Sequence, residues 1–190
     1  MSAPSLREGD ALLLIDVQND FLPGGALAVP EGDAVVPVLN RWIAAAKAAG
    51  APVFATRDWH PPDHTSFEAQ GGPWPSHCVR DTEGAAFPAD LALPEGAVVV
   101  SKATLPRAEA YSGFEGTDLA ERLRAAGVRR VFVGGLATDY CVRASVLDAR
   151  REGFEVRLIP GGHRGIAEDT TETALAEMAR AGALVAAEAQ

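Results

Sequence analysis

The feature that most constrains the fold is a regular alternation of short apolar runs with helical patterns. The apolar runs have the length of strands and lie at 11–17, 52–57, 97–102, 130–134, 155–159 and 184–187. Helical patterns separate most of them, at 33–49, 117–127, 141–153 and 169–181. Continuous apolar strands linked by helices are typical of a parallel sheet covered on both faces. We therefore predict an α/β fold, a doubly wound, mainly parallel six-stranded sheet with helices on both faces.

Length and composition describe an ordinary globular chain. The 190 residues are 47% hydrophobic and 23% charged, and no linker or repeat divides them, so we predict one domain over 1–190. The net charge of -9, without a basic stripe, argues against nucleic acid as a partner.

The ends of the chain and its cysteines bear on the compartment. The first ten residues lack the charged and then apolar layout of a signal peptide, and no apolar run is long enough to span a membrane. Two distant cysteines make no disulfide framework, which fits a reducing compartment. We expect a cytoplasmic protein with no membrane partner, and a homo-oligomer stays open.

Three strand-like runs end in side chains that carry chemistry. Asp16 ends the apolar stretch Ala-Leu-Leu-Leu-Ile of the first run, Lys102 closes the third run, and Cys141 follows the fourth, where the strand signal passes into a helical one. Because ligands of such sheets gather at the carboxyl ends of strands, these side chains are predicted to share one site. A thiol at the start of a helix lies where free N–H groups and the helix dipole favour the thiolate. The alternatives are a strand-end cap for Asp16, a surface lysine and an inert buried cysteine.

A long irregular segment at about 58–94 supplies a second group of polar residues. Three of the four histidines fall within it, and a loop of this length inside a compact domain is usually functional. Asp58 and His60 are two residues apart just past a strand, so both point to the same side of an extended chain. With His77 they could hold zinc, iron or manganese, and His64 is a weaker candidate. The alternative is that these residues are turn formers and surface polar groups.

Five motifs together resemble the nicotinamidases of the isochorismatase-like hydrolase superfamily. They are Leu-Ile-Asp-Val-Gln-Asn-Asp-Phe at 14–21, Asp-Trp-His-Pro at 58–61, Trp-Pro-Ser-His-Cys-Val at 74–79, Tyr-Ser-Gly-Phe-Glu at 111–115 and Gly-Leu-Ala-Thr-Asp-Tyr-Cys-Val at 135–142. The resemblance extends over about 12–185, in the order that the family has.

The resemblance implies roles for particular residues. It implies a catalytic triad of Asp16, Lys102 and Cys141. It implies a metal site made by Asp58, His60 and His77, within an insertion loop at about 58–94. It also implies a substrate slot near Phe21, Trp74 and Tyr111. A cis peptide in the region of Ala137 and Thr138 is implied as well, and would direct backbone N–H groups at an oxyanion.

The activity that the resemblance implies is metal-dependent hydrolysis of nicotinamide to nicotinate and ammonia, through a thioester on the cysteine, in NAD salvage. Pyrazinamide is a further expected substrate, and one divalent metal ion is the expected cofactor, with zinc first and iron or manganese as alternatives. Two other readings stay open. One is an isochorismatase-like hydrolase of another small amide or ureido substrate, and the other is an inactive fold that serves as an interaction scaffold.

One segment departs from the pattern of the family. Pro-Gly-Gly-His-Arg-Gly at 160–165 stands where relatives usually carry Asp-Ala before a small residue and Arg. The loss of that carboxylate leaves the hydrogen bonding at this edge of the sheet in doubt, while the catalytic and metal motifs stay intact. His163 is interpreted as a loop residue.

Overall fold

A five-stranded parallel sheet forms the centre of the molecule. The computed structural model describes residues 5–185, and the strand order across the sheet is β3-β2-β1-β4-β5. The strands are β1 (Asp10–Ile15), β2 (Val53–Asp58), β3 (Val98–Lys102), β4 (Arg130–Leu136) and β5 (Glu155–Arg164). The order reverses between β1 and β4, which is the arrangement of a doubly wound sheet and places ligands at the carboxyl ends of these central strands.

Helices cover both faces of the sheet. They are α1 (Val35–Ala49), α2 (Leu119–Ala125), α3 (Arg143–Arg151) and α4 (Glu168–Arg180). Leu39 and Ile43 of α1 pack on one face, in a cluster with Leu12 and Leu14 of β1. The other three helices pack on the opposite face, where the alternate residues of β1 and β4 point. The central strands are therefore apolar on both sides, which explains their uninterrupted apolar sequences.

The predicted architecture is confirmed, with five strands rather than six. The sixth predicted strand, at 184–187, is reduced to one bridge between Leu184 and Arg157. Leu184 donates its N–H to Val156 O and accepts the N–H of Leu158, so the chain does lie along β5 at this point. Residues 186 and 187 lie outside the described part of the chain.

Strand β5 extends beyond the predicted end at Ile159. It continues through Pro160 and the two following glycines to Arg164, with an irregularity in its register against β4 between Val133 and Gly135. Proline is tolerated because β5 is an edge strand, on which an N–H group can be missing without the loss of a ladder hydrogen bond. His163 is consequently a strand residue, and the interpretation of it as a loop residue is wrong.

The long connection between β2 and β3 lies over the carboxyl end of the sheet. It contains two short 3₁₀ helices, Glu68–Gln70 and Glu83–Ala85, and is otherwise irregular. His60 N–H bonds to Cys78 O and Arg80 N–H to His60 O, so the two arms of this connection lie side by side. In the part of the chain that the structure describes, none of the helices has the length and apolar character needed to cross a membrane.

The opposite, amino-terminal edge of the sheet is fixed by a buried ion pair. Arg130 begins β4 beside Asp10 at the start of β1, and its Nε and Nη2 donate to the two carboxylate oxygens at 2.8 and 2.7 Å. Burial raises the pKa of Asp10, but hydrogen bonds from Arg130 and from the backbone N–H of Arg7 outweigh it, so the pKa lies below its usual value. Folding therefore gains stability from the charged form of this carboxyl.

We predict that Asp10→Asn lowers the free energy of unfolding by about 2 kcal/mol at pH 7, because a hydrogen-bonded charge is lost beside a buried guanidinium. The difference between the two proteins should shrink as the pH falls through the lowered pKa of Asp10, since the wild-type carboxyl then takes up a proton. Urea titrations across this range measure it. Asp118→Asn is the control, because its ion pair with Arg122 is half exposed and should contribute less than about 0.5 kcal/mol. Equal effects of the two substitutions would contradict the prediction.

Candidate active site and metal centre

The ends of three neighbouring strands bring two carboxylates and an amine together. Asp16 follows β1 directly and has a left-handed backbone, with φ of 48°. Asp58 is the last residue of β2 and Lys102 the last residue of β3, and the register of the two strands pairs them. The structure thus brings together three residues that are 42 or more positions apart in the sequence. Two of them, Asp16 and Lys102, belong to the predicted triad, whereas Asp58 was predicted as a metal ligand.

Lys102 is the centre of this cluster. Its Nζ lies 2.9 Å from Asp16 Oδ2, donates to Asp58 Oδ1 at 2.5 Å and to the carbonyl oxygen of Ala110 at 3.1 Å, and lies 3.6 Å from Cys141 Sγ. Burial lowers the pKa of this amine, but the two carboxylates raise it by more, so the pKa lies well above its usual value. The side chain is therefore a buried ammonium ion.

Asp16 and Cys141 both have raised pKa values. Burial raises the pKa of Asp16, and the charge of Lys102 opposes this only in part. Burial also raises the pKa of the Cys141 thiol, again against the effect of Lys102, and the negative charges of Asp16 and Asp58 raise it further. Burial therefore opposes the thiolate that was predicted for a helix start, and Asp16 lies beside the thiol, where it can accept its proton.

The local backbone explains why the pKa of Cys141 is raised, although a helix start was expected to lower it. Cys141 lies inside a single turn of π-helix, Thr138–Val142, which we call the π-turn, and α3 begins only at Arg143. The thiol is 6% exposed. At this depth the loss of hydration outweighs the influence of the helix terminus, which falls off within one turn.

Asp58, His60 and His77 fit a divalent metal ion. Their ligand atoms all lie within 4.8 Å of one another. His60 Nδ1 bonds to His77 O at 3.0 Å and His77 Nδ1 bonds to Pro75 O at 2.8 Å. A carbonyl oxygen only accepts, so each Nδ1 carries the proton and each Nε2 keeps its lone pair. His60 Nε2 is buried and has no hydrogen-bond partner within residues 5–185. An orphaned imidazole nitrogen beside a carboxylate is the donor set that zinc, iron or manganese accepts.

His64 lies next to this group in a supporting position. Its Nδ1 bonds to Ser66 Oγ at 2.7 Å and its Nε2 to the carbonyl oxygen of Ala108 at 3.2 Å, so both ring nitrogens are engaged. Its ring packs against that of His60, with 4.3 Å between centroids. Glu109 could complete an alternative group with these two histidines, but that group needs one ring nitrogen of His64 to leave its present partner. The geometry favours His77 as the third ligand.

A small cavity of about 40 Å³ opens above Cys141. All three residues predicted for the substrate slot line it, namely Phe21, Trp74 and Tyr111. Trp74 Nε1 donates to Tyr111 Oη at 3.1 Å, which fixes both rings. The sequence reasoning missed four further lining residues: Leu27, Val29, Tyr140 and Ile166.

Only one of the missed residues had a signal in the sequence. Tyr140 is adjacent to Cys141 in the motif at 135–142, and its ring meets that of Trp74 edge to face at 5.3 Å. Leu27 and Val29 come from the loop after β1, and Ile166 from the segment after β5. These three reach the cavity only through tertiary packing.

The cis peptide bond lies between Leu136 and Ala137, one bond before the region predicted for it. Ala137 lines the cavity, and its carbonyl oxygen accepts the N–H groups of Tyr140 and Val142 at 3.1 Å. Gly135 lies just before the cis peptide bond and has a φ of 130°. A Cβ at this position would lie 2.0 Å from Ile15 O, so no larger residue fits. The end of β1 and the end of β4, just before the π-turn, are therefore in direct backbone contact.

We predict that Lys102→Met lowers the free energy of unfolding by about 3 kcal/mol at pH 7, because Asp16 and Asp58 lose their shared counter-charge in a buried site. Chemical denaturation measures the change. Lys47→Met is the matched control, since Lys47 is the other lysine of the chain, lies exposed on α1 and should change stability by less than about 0.5 kcal/mol. A Lys102→Met protein as stable as the control would show that the two carboxylates do not depend on the ammonium.

Comparison with known proteins places this geometry in a family. The chain is 42% identical to a nicotinamidase of Escherichia coli over 91% of this chain and 92% of that protein. A crystal structure of the pyrazinamidase of Pyrococcus horikoshii in complex with zinc superposes with a TM-score of 0.91 at 54% identity, and covers 94% of this chain and 98% of that one. The structure of PnC1 from L. infantum in complex with nicotinate has a TM-score of 0.88 at 35% identity, over 97% and 96% of the two chains. The isochorismatase domain family matches residues 10–190, and the chain belongs to this family.

Proposed function

We propose that this protein hydrolyses nicotinamide to nicotinate and ammonia, and that it also accepts pyrazinamide. The observation that carries the proposal is the joining of the Cys141, Asp16 and Lys102 cluster to a narrow cavity walled by aromatic rings. Such a cavity suits a flat ring that carries a carboxamide at the thiol. The similarity to a nicotinamidase and to a pyrazinamidase supports the same substrates.

The first half of the reaction forms an acyl-enzyme. Asp16 takes the proton of the Cys141 thiol, and the sulfur bonds to the amide carbon while the carbonyl π electrons move onto the oxygen. The backbone N–H groups of Thr138 and Cys141 donate to this oxyanion. When the C–N bond breaks, Asp16 returns the proton to the nitrogen, so ammonia leaves and a thioester remains.

The second half uses the same carboxyl group. Asp16 removes a proton from water, the oxygen bonds to the thioester carbon, and the C–S bond breaks as the tetrahedral intermediate collapses. Asp16 passes this proton to the Cys141 sulfur as the C–S bond breaks, and the acid is released. Lys102 stays charged throughout, and stabilises negative charge as it passes between Asp16 and Cys141.

The metal ion is part of the proposal. Asp58, His60 and His77 would hold it, with zinc as the first choice and iron or manganese as alternatives. When bound, the ion supplies a Lewis acid that can engage the ring nitrogen of the substrate. The Nδ1–H group of His60 donates to His77 O and that of His77 donates to Pro75 O, and these hydrogen bonds keep the two imidazoles turned toward this position.

The proposed setting of the enzyme follows the sequence-based expectations. We infer that residues 58–94 serve as a metal-binding insertion within one catalytic domain, and that the protein acts in the cytoplasm in NAD salvage. A small molecule is the proposed partner, without nucleic acid or a membrane.

We predict that Cys141→Ala lowers the rate of ammonia release from nicotinamide by roughly four orders of magnitude or more, because Cys141 is the only thiol among the described residues that line the cavity. Binding of nicotinate, measured by calorimetry, should stay within about threefold, since the rings that hold it are unchanged. Cys78→Ala is the matched control. The Cys78 side chain packs in the core without lining the cavity, and the variant should keep most of its activity.

Different contradicting results would point to a different nucleophile, a different substrate or an inactive protein. Turnover by Cys141→Ala would exclude this residue as the nucleophile. Failure of the wild-type protein to release ammonia from nicotinamide or pyrazinamide, together with hydrolysis of an acyclic ureido acid, would assign the same machinery to another amide. No hydrolysis of any of these compounds would favour an interaction scaffold.

We predict that protein purified without chelator contains about one equivalent of divalent metal, and that His60→Ala loses it, because the buried His60 Nε2 has no hydrogen-bond partner among the described residues and is the proposed ligand atom. Elemental analysis of the purified proteins measures this without reference to activity. His64→Gln is the control and should keep the metal, since both nitrogens of His64 are engaged elsewhere. Loss of metal in both variants would make His64 a ligand. Metal retained by His60→Ala would place the ion at another site.

A further inference from the structure

His163 is a buried histidine to which the proposed reaction gives no task. It lies near the end of β5, opposite Gly135 of β4, and is 5% exposed. It does not line the cavity above Cys141. It borders instead an outer groove of about 610 Å³, lined by Thr138 and residues 163–168 among others. The position of His163 therefore does not indicate direct contact with a substrate in the cavity.

The contact that His163 makes leads to the catalytic turn. Its Nδ1 lies 2.9 Å from Thr138 Oγ1, and the two share a hydrogen bond whose direction follows the imidazole tautomer. Thr138 is fully buried, and is the first residue of the π-turn that carries Cys141. The side chain of this residue is thus tied to β5 through His163.

The rest of the π-turn is held by other groups. Ala137 O accepts the N–H groups of Tyr140 and Val142, which closes the turn on itself. The carboxylate of Asp139 accepts the N–H groups of Ile166 and Ala167, which ties it to the segment after β5. Neither set of bonds fixes the side chain of Thr138. Its orientation depends on the imidazole.

We propose that His163 is a positioning residue that holds Thr138 so that its backbone N–H points at the oxyanion of the reaction. The inference rests on the proposed function, in which Thr138 is one of two oxyanion donors. Such donors act because they are already oriented before charge develops, so a small rotation of the peptide weakens them in the transition state more than it affects ground-state binding.

The test compares variants that remove or keep this hydrogen bond. His163→Leu removes it, while His163→Asn keeps a polar group close to the position of Nδ1. Thr138→Val removes the hydroxyl partner of the same hydrogen bond and keeps nearly the same side-chain shape. The double variant His163→Leu/Thr138→Val removes both partners. Leu158→Ala is the control for stability alone, because Leu158 is a core residue of β5 that does not line the cavity.

Two readouts distinguish positioning from general stability. The first is kcat and KM for nicotinamide. The second is inhibition by pyridine-3-carbaldehyde compared with binding of nicotinate. The aldehyde reports on the oxyanion donors, because the Cys141 sulfur bonds to its carbon, the π electrons move onto its oxygen, and the thiol proton passes to Asp16. Nicotinate forms no such bond and reports on ground-state binding.

We expect His163→Leu to lower kcat and weaken aldehyde inhibition by about tenfold each, while KM and nicotinate binding change by less than about twofold. His163→Asn should recover most of the loss. Thr138→Val should match His163→Leu, and the double variant should be no worse than either, since both remove the same bond. Leu158→Ala should lower the denaturation midpoint without changing the ratio of aldehyde to nicotinate affinity.

Several results would overturn the inference. An unchanged kcat and aldehyde affinity in His163→Leu is one, and equal losses of aldehyde and nicotinate binding are another. If His163→Leu does not fold, Thr138→Val and His163→Asn decide, and a Thr138→Val protein with full aldehyde affinity contradicts the inference. A wild-type protein without nicotinamide turnover would instead refute the proposed function, and this inference with it.

Discussion

The buried ammonium of Lys102 is the interaction on which the site depends. Asp16 and Asp58 are both nearly inaccessible to water, and two carboxylates in such a place could not both stay charged without a cation between them. The parallel register of β2 and β3 puts Lys102 beside Asp58. β1 pairs with the other edge of β2, and Asp16, which follows β1, also lies against the Lys102 ammonium. One ammonium ion therefore serves the proposed base and a proposed metal ligand together. A change in the charge of either carboxylate is felt by the other through it.

This arrangement has a consequence for the nucleophile. A cysteine with a permanent thiolate would add a third anion beside Asp16 and Asp58, with one buried cation to balance them. The structure instead keeps Cys141 as a thiol, with a raised pKa, beside a carboxyl whose pKa is also raised. The two pKa values shift in the same direction, so proton transfer between the groups does not have to overcome the full effect of burial. The transfer can then occur when the substrate is in place.

Much of the site could be predicted from the sequence because parallel sheets collect side chains at one edge. Asp16, Asp58 and Lys102 could be located as the residues at the ends of apolar runs, and His60 by its spacing from Asp58. The fifth strand beyond Pro160 could not, because a proline and two glycines indicate a turn unless the strand is known to lie at the sheet edge. The π-turn and the cavity contacts of Leu27 and Ile166 were also missed, since they depend on packing between distant segments rather than on local pattern.

The extended β5 also helps to anchor the turn that carries Cys141. Ala137 O accepts the N–H groups of Tyr140 and Val142, and Thr138 O accepts the N–H of Arg143, which closes the turn. Asp139 joins the turn to the segment after β5 through Ile166, and Thr138 joins it to β5 through His163. Ile166 is at the same time a wall of the cavity. The bond that orients the turn and the residue that shapes the cavity thus come from one stretch of chain. A substitution in this stretch should therefore change the geometry of the reacting groups and the space for the ring together, although it lies outside every catalytic motif.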